Sequence, residues 1–415
     1  MLKNYLKIAI KVLLRRKFFT FISLFGVSFT LVVLMVASAL LDHAFGPLPP
    51  EVRTDRTLGI YTVRMELTNS FERTGAAPYW FLDRYVRTLA TPARVSLYST
   101  QRSVAAYVAD EKHSLFLKRT DGEFWNILDF EFLEGGPFTA ADEREANFVA
   151  VINRATAELF FKGQPAVGKT IAVDGQRFRV VGVVPNIPIF RVTSFADVWV
   201  PLSTAKSNGY LRDATGDFLA LLLARTPGDL PKIKEELQTA LARVEFPNAR
   251  EYSRIITAAE TLFESVARGM FGRDRDARNY AGYLLGLLLA LAVLFMLLPA
   301  INLINLNVSR ILERASEIGV RKAFGASSWT LVGQFVVENV LLTLIGGAFG
   351  FVAALFLLNA LTDSGLIQYA HFQMNYRIFL YGLTAALFFG LFSGVYPAWK
   401  MSRLHPVDAL RGQSL

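Results

Sequence analysis

The sequence predicts an α-helical membrane protein with four transmembrane helices and a large α+β extracytoplasmic domain inserted between helices 1 and 2. Three observations support this fold class. Of the 415 residues, 53% are hydrophobic and 19% are charged, which is more apolar than a typical soluble chain. Several long stretches lack charge, whereas the 239 residues between the first two carry 30 basic and 30 acidic residues. Short runs of alternating apolar and polar residues in that insert indicate strands.

The uncharged stretches are the membrane signal. Charged residues are absent from 18–41, 279–309 and 378–399, and the stretch 323–362 contains only Glu338. A helix that crosses a bilayer needs roughly 20 predominantly apolar residues, so each stretch is long enough. We therefore predict transmembrane helices at 18–41, 281–309, 328–361 and 378–399.

The net charge of +9 comes from short segments outside those helices. Residues 1–17 contain six basic and no acidic residues, 310–322 contain four basic against two acidic, and 400–415 contain three basic against one acidic. Basic loops stay in the cytoplasm, so both termini and the 310–322 loop are predicted there, with the neutral insert outside. The basicity therefore indicates the orientation of the chain in a membrane, and no nucleic-acid partner is expected.

Residues 1–17 place Lys3, Lys7 and Lys11 on one stripe, which predicts an amphipathic helix on the inner leaflet, in contact with membrane lipids. The segment that follows also resembles a signal peptide, because Ala37, Ser38 and Ala39 fit a cleavage site. Its apolar run is longer than a signal sequence needs, which favours an uncleaved anchor.

The strand-like and helical runs in the sequence of the insert predict an α+β domain over 42–254. Asp174-Gly175 between two strand-like runs is a strong hairpin signal. Residues 255–280 have helical spacing and lead directly into the second span. We therefore expect a stalk helix over 255–280, continuous with the membrane helix.

The insert also contains a literal Walker A match from Gly163 to Thr170, with Lys169 at the lysine position. A phosphate-binding loop needs a strand before it and a helix after it, and the predicted order here is reversed. We therefore expect a structural turn, no cofactor bound by this chain and no catalytic residue. The histidines are too scattered for a metal site, so none is predicted; they are His43, His113, His371 and His405.

The loop after the second span predicts a short charged helix over 310–327. Glu313 and Glu317 lie four residues apart, and Gly325 is a natural stop. Such a helix either caps the membrane surface or docks a cytoplasmic partner, and the residues alone leave both alternatives open.

The same loop resembles the MacB/FtsX-like permease family of ABC systems. The similarity rests on Glu313-Arg314-x-x-Glu317-Ile318-Gly319-Val320-Arg321-Lys322-Ala323-x-Gly325-Ala326, and on Tyr396-Pro397-Ala398 near the C-terminus. In the insert, Phe132-Leu133-Glu134-Gly135-Gly136-Pro137-Phe138 is similar to the MacB-type periplasmic domain.

The resemblance implies a permease that is not itself an enzyme and that dimerises with a second permease subunit, as a homo- or heterodimer. ATP and Mg would be bound by a separate ABC ATPase subunit, since only 17 residues precede the first span. The residues implied to couple the permease to that ATPase are Glu313, Arg314, Glu317, Arg321, Lys322 and Gly325. The resemblance also implies a bacterial cytoplasmic (inner) membrane and, where the cell has two membranes, a periplasmic adaptor protein and an outer-membrane channel as further partners.

Polar and small residues within the spans are expected to pack helices together. Hydrogen bonding between helices is favoured over a proton relay for Asn302, Asn305, Gln334 and Glu338. The G-x-x-x-G spacing predicts close helix contacts at Gly346 and Gly350, and at Gly390 and Gly394.

The function implied by the resemblance is mechanotransmission: ATP hydrolysis in the partner moves the extracytoplasmic domain and drives efflux of a peptide, antibiotic or other small amphiphile. Two alternatives stay open. One is FtsX-like regulation of cell-wall hydrolases, and the other is release of lipoproteins from the membrane.

Overall fold

The computed structural model describes residues 2–15, 17–68, 72–108, 111–213, 216–247, 252–272, 278–313 and 328–402. Internal contacts divide the chain into two units. The helical unit comprises Met1–Leu41, Leu285–Leu366 and Phe372–Leu415, and the insert domain comprises Asp42–Leu284 together with Ile367–His371. The insert domain is therefore assembled from two separate parts of the sequence.

A long helix lies in each of the four long apolar stretches, and shorter helices occur in the insert. In chain order they are α1 Leu2–Arg15, α2 Lys17–Phe45, α3 Tyr79–Phe81 (continued by a π-helical turn, Leu82–Val86), α4 Phe124–Ile127, α5 Ala140–Arg144, α6 Arg154–Phe161, α7 Leu230–Leu241, α8 Leu262–Phe271, α9 Ala281–Glu313, α10 Ser328–Asp363 and α11 Tyr376–Ser402.

Within the described residues, three helices are long and apolar enough to cross a membrane: Lys17–Phe45, the Ala281–Leu298 part of α9 and the Val332–Asp363 part of α10. The apolar part of α11 within the described residues, Tyr376–Phe392, is shorter. The structure supports three of the four spans, and the fourth, over 378–399, stays a prediction.

Helix α1 is amphipathic. Leu6, Ile10 and Leu14 follow one another at one-turn intervals and are exposed, whereas Ala9 and Leu13 are buried. This gives α1 one apolar face toward the other helices and a second apolar stripe that is open; its contact with lipid stays a prediction.

The insert domain contains thirteen strands within the described residues. They are β1 Thr57–Ile60, β2 Val63–Leu67, β3 Glu72–Gly75, β4 Arg94–Ser99, β5 Arg102–Val108, β6 Glu111–Thr120, β7 Glu134–Gly135, β8 Val149–Asn153, β9 Thr170–Val173, β10 Gln176–Val184, β11 Val198–Pro201, β12 Phe218–Leu223 and β13 Tyr252–Ile256.

Six of these strands close into a barrel, because β5 pairs with β6 on one side and with β9 on the other. The ring runs β6-β11-β8-β10-β9-β5. Alternating residues fill its interior; among them Ile152, Phe178 and Val200 are fully buried. The β9–β10 hairpin turns at Asp174 and Gly175, both with positive φ, which confirms the hairpin predicted from that dipeptide.

A second layer forms beside the barrel. Strands β4, β12 and β1 extend the large sheet, and β13-β2-β3 form a separate antiparallel sheet. Helix α7 packs between these strands and α3 through Ile233 and Leu237, which are fully buried. The expectation of an α+β domain is confirmed.

The predicted stalk helix over 255–280 is wrong. Residues Tyr252–Ile256 form strand β13, which pairs with β2, so the α+β domain runs past residue 254. A new helix, α8, begins at Leu262 because Thr261 and Glu264 form a capping box, and it stops at Gly272. The β-branched pair Ile255–Ile256 gains more from a place in the sheet than from helical spacing alone.

Candidate functional site

Two predicted glycines of α10 lie directly against α2. A Cβ atom added at Gly346 would stand 3.0 Å from the Cβ of Val27, and one added at Gly350 would stand 3.1 Å from the carbonyl oxygen of Ser28. The Ser28 hydroxyl also donates a hydrogen bond to the carbonyl oxygen of Gly346 at 2.8 Å. Because Gly346 and Gly350 carry no side chain, the backbones of α2 and α10 can approach each other closely.

Helix α11 approaches α10 in the same way. A Cβ at Gly390 would lie 2.9 Å from the hydroxyl oxygen of Thr343. The surroundings of Gly394, on the same helix, lie outside the described side chains. Small residues therefore line the contacts of α10 with α2 and with α11.

The predicted polar residues of α10 are buried. Gln334 and Glu338 lie one turn apart, and Glu338 is only 2% exposed. Asn339 and Thr343 extend the buried polar surface along the helix. An ionisable group in this position faces the interior of a helix bundle, as expected for intramembrane carboxylates.

The other predicted residues belong to α9 and to the loop that follows it. Asn305 is exposed on α9, and the side chain of Asn302 lies outside the description. Glu313 ends the described part of α9, while Arg314, Glu317, Arg321, Lys322 and Gly325 lie outside the described residues. Their role in coupling to an ATPase stays a prediction.

Sequence reasoning missed the polar residues of α2. Ser23, Ser28 and Thr30 lie in the uncharged stretch 18–41 and carry no prediction of their own. Ser28 nevertheless donates a hydrogen bond to Gly346 of α10, and Thr30 donates to the carbonyl oxygen of Phe295 at 3.4 Å. Hydroxyl residues in an otherwise apolar span were the available signal.

In the insert domain, the Walker A look-alike is a helix-to-strand turn. Helix α6 ends before it and β9 follows, so the reversed order predicted from sequence is confirmed. Its backbone amides are already used: Gly168 donates to Val180 at 2.8 Å, and Ala166 donates to the Glu134 carboxylate at 2.9 Å. A carboxylate in this position would repel a phosphate.

The Lys169 side chain also has partners within the protein. Its ammonium donates to the side-chain oxygen of Gln164 at 2.8 Å and lies 5.0 Å from the centre of the Phe161 ring. This segment therefore offers protein contacts in place of a phosphate cradle.

A buried polar cluster lies between the start of the insert domain and the loop before β11. The Arg191 guanidinium lies 3.3 Å from the Glu51 carboxylate and donates to the carbonyl oxygen of Gly46 at 2.7 Å. The other Glu51 oxygen accepts from the Ser194 hydroxyl at 2.6 Å. These contacts fix the 191–194 loop against the residues that follow α2.

Lys118 of β6 extends this cluster. Its ammonium donates to the carbonyl oxygens of Val192 and Thr193 at 2.9 and 2.6 Å, and it lies 5.3 Å from the Tyr98 ring centre. Burial lowers the pKa of Lys118 to about 7, although the Glu51 charge opposes that shift. Sequence reasoning missed Lys118 because nothing in its local pattern distinguishes it from a surface residue.

Cavities differ between the two units. The insert domain holds cavities of about 270 Å³, lined by Phe45, Tyr61 and Phe263, and about 310 Å³, lined by Arg119 and Tyr210. In the helical unit, the cavity lined by residues of α2, α9 and α11 measures about 20 Å³. The described residues contain no group of three or more His, Cys, Asp or Glu arranged to hold a metal ion.

Comparison with known proteins assigns both units. Residues 20–240 match the family model of the MacB-like periplasmic core domain, which is more than half of the chain. Residues 289–406 match the FtsX-like permease C-terminal model. The chain belongs to the MacB/FtsX-type ABC transporter permeases. This membership accounts for the pairing of uncharged helices with a large α+β insert.

Curated relatives of this permease are distant. An ABC transporter permease named YknZ from Bacillus subtilis is 24% identical over 75% of this chain and 74% of its own length. The pyoverdine export ATP-binding/permease protein PvdT of Pseudomonas syringae is 26% identical over 72% of this chain, and the macrolide export ATP-binding/permease protein MacB of Pasteurella multocida is 25% identical over 69%. The permease spans less than half of these two relatives, 43% and 41% of their lengths.

Among solved structures, the extracellular domain of the transporter YknZ aligns with 43% of the permease and 90% of that chain. The identity is 16% and the TM-score is 0.34. At that score the likeness is too weak for an element-by-element comparison.

Proposed function

We propose that this permease is the mechanotransmission subunit of an ABC-type export system. A separate ATPase subunit would bind ATP and Mg and hydrolyse the nucleotide. Two permease subunits would carry the resulting displacement to their insert domains, which drive efflux of a peptide, antibiotic or other small amphiphile. A periplasmic adaptor and an outer-membrane channel would complete the path where the cell has two membranes.

The contrast in cavities carries this proposal. The cavity lined by α2, α9 and α11 has room for about one water molecule, which is too little for an amphiphilic substrate. The insert domain has cavities more than ten times larger. Backbone contacts at Gly346 and Gly350 further suit helices that move together as a rigid body.

The proposed topology has four spans, with α11 as the fourth and both termini in the cytoplasm. Helix α11 continues to Ser402, which makes it long enough for a span. With four spans, the basic segments 1–17, 310–322 and 400–415 would share one side of the membrane and the neutral insert would lie on the other. The loop 310–327 then faces the ATPase.

The test is recovery of the permease from its native membrane with any bound ATPase. Charge reversal at Glu317 or Arg321, to Lys and Glu respectively, should remove most of the co-purified nucleotide hydrolysis. Lys206→Glu is the matched control, since Lys206 pairs with Asp174 on the exposed surface of the insert domain. The control should retain the ATPase.

Two results would contradict the proposal. One is that the permease is recovered without any ATPase. The other is hydrolysis by the permease alone that Lys169→Ala abolishes, because that would restore the nucleotide-binding interpretation of the 163–170 loop.

A further inference from the structure

Five residues from the connection between α10 and α11 belong to the insert domain. This segment, Ile367–His371, is here called the strap, and its contacts place it with Asp42–Leu284. Ala370 within the strap is 4% exposed, whereas Leu366, immediately before it, is 79% exposed. The chain thus changes from solvent-facing to packed within four residues.

The strap is held by three kinds of contact. The hydroxyl of Tyr369 donates a hydrogen bond to Asp197 Oδ1 at 3.0 Å. The backbone amide of Ile189 donates to the carbonyl oxygen of Gln368 at 3.3 Å. The Tyr369 ring packs against the hydrophobic cluster that includes Phe195 and Trp199.

Asp197 is an unusual anchor because it is a buried carboxylate held by neutral donors. The residue is 1% exposed and accepts from the Phe116 amide at 2.8 Å, from the Asn153 side chain at 2.9 Å and from Tyr369. No cation pairs with it among the described residues. Burial raises its pKa, and removing one of three donors leaves a costly, less satisfied charge.

The anchor also lies where barrel strands meet. The Asp197 amide donates to Phe116 of β6 at 2.8 Å, and its carbonyl oxygen accepts from Asn153, the last residue of β8, at 3.0 Å. Strand β11 begins at the next residue. A force applied at Asp197 therefore reaches three strands of the barrel at once.

The backbone of Tyr369 gives independent support. Its φ is +60°, in the left-handed region that costs a non-glycine residue about 1 kcal/mol or more. Glycine or asparagine would adopt this conformation at lower cost. A tyrosine in this position therefore indicates that its side chain contributes contacts that outweigh the backbone cost.

We propose that the strap is a third, noncovalent attachment of the insert domain, latched by Tyr369 on Asp197, through which displacement of α10 and α11 reaches the barrel. The other two attachments are the chain connections at Leu41–Asp42 and Leu284–Leu285. The transmitting role rests on the proposed mechanotransmission function; the latching itself does not. Tyr369 is a positioning residue in this scheme.

The absence of cysteine from the permease allows a direct test of the latch. Single cysteines are introduced as Ala370→Cys and Leu366→Cys in the full chain in membranes, and labelled with a membrane-impermeant maleimide. Cys at 366 should react at least ~10-fold faster than Cys at 370, because packing excludes the reagent there. Adding Tyr369→Phe should raise the rate at 370 by about 10-fold, the effect of losing one hydrogen bond to a charged group, and leave the rate at 366 unchanged.

A second measurement leaves Ala370 in place and needs no cysteine. Hydrogen exchange at the Ile189 amide should accelerate in Tyr369→Phe, since this amide donates to Gln368 of the strap. Equal labelling of positions 366 and 370, or unchanged labelling and exchange in Tyr369→Phe, would overturn the latch.

The transmitting role has its own readout. In membranes that contain the ATPase, Tyr369→Phe should leave ATPase binding intact while export falls several-fold. Full export by a variant whose strap is shown to be released would contradict transmission through the strap. Loss of ATPase association in the unmodified chain would instead count against the proposed function.

Discussion

The helical unit and the insert domain solve the burial of polar groups in different ways. In the helical unit, small residues bring backbones together, as Gly346 does against Val27, and a serine hydroxyl bonds a carbonyl across the contact. In the insert domain, charged side chains are buried, and each has several specific partners, as the Asp197 carboxylate and the Arg191 guanidinium do. The difference follows from solvent: two helices in lipid gain little from the hydrophobic effect, so close contact must hold them.

This contrast gives the two units different sensitivities. The helical unit should be disrupted by added volume and the insert domain by the loss of one polar partner. The buried charges of the insert domain also make its stability depend on pH.

The largest effect is expected for Arg191→Met. This change leaves the Glu51 carboxylate without its guanidinium partner in a buried site, at a cost of about 3–5 kcal/mol. Thermal unfolding and hydrogen exchange of the insert domain would measure it. The matched control is Lys206→Met, which removes an exposed ion pair with Asp174 and should cost less than about 1 kcal/mol. Equal losses in the two variants would remove the distinction between buried and surface charges.

A smaller effect is expected for added volume in the helical unit. Gly346→Leu forces side-chain atoms against Val27 and should destabilise the unit by about 1–3 kcal/mol, read as a lower unfolding temperature in detergent. Gly333→Leu on the same helix is the control, because a Cβ there meets nothing within 4 Å. If Gly333→Leu is as harmful as Gly346→Leu, close α2–α10 contact is not what the glycine provides.

The pH dependence of the insert domain should trace partly to Lys118. The unfolded chain holds this proton up to about pH 10, whereas the folded chain releases it near 7, so between these values the unfolded state binds more protons. Stability should therefore rise with pH through this window, by about 1 kcal/mol between about pH 8 and about pH 9.

Lys118→Met should flatten that rise. The measurement compares the free energies of unfolding of the unmodified permease and of the variant at about pH 8 and about pH 9. The variant leaves the carbonyl oxygens of Val192 and Thr193 without their donor, so only the slope, and not the absolute stability, is diagnostic. An unchanged slope would assign the pH dependence to other groups.

The smallest effect is expected for Lys169→Ala. Its ammonium makes one exposed hydrogen bond and a ring contact, together worth about 1 kcal/mol or less. Unfolding temperature and ATP binding should both be nearly unchanged. A loss of nucleotide binding in this variant would show that the loop does more than connect α6 to β9.

Composition and periodicity predicted the features that depend on local sequence. Uncharged stretches predicted four spans, and three helices in the described residues are long and apolar enough to cross a membrane. Asp174-Gly175 predicted the hairpin, and the sequence also predicted that a helix precedes and a strand follows the loop around Lys169. The 255–280 stalk failed because helical spacing cannot reveal that Ile255 and Ile256 gain a sheet partner in β2, about 190 residues earlier in the chain.

The buried polar residues of the insert domain could not be predicted, for the same reason. Lys118 and Asp197 are buried by contacts with segments such as 192–194 and the strap, which are distant in sequence. Gln334 and Glu338 were identified because an amide or a carboxyl group in an apolar stretch is conspicuous in itself. Charges in a neutral insert carry no such contrast.

The central claim is that ATP in the partner subunit moves the insert domains, with no substrate passing between the helices. The direct test is a spin label on Tyr107→Cys, which is 60% exposed on β5 and would be the only thiol in each permease subunit. The distance between labels in the two permease subunits of the assembled transporter should change when ATP is trapped on the ATPase, and Glu317→Lys should abolish the change. An identical distance distribution with and without trapped ATP, in a transporter that still exports, would contradict the account.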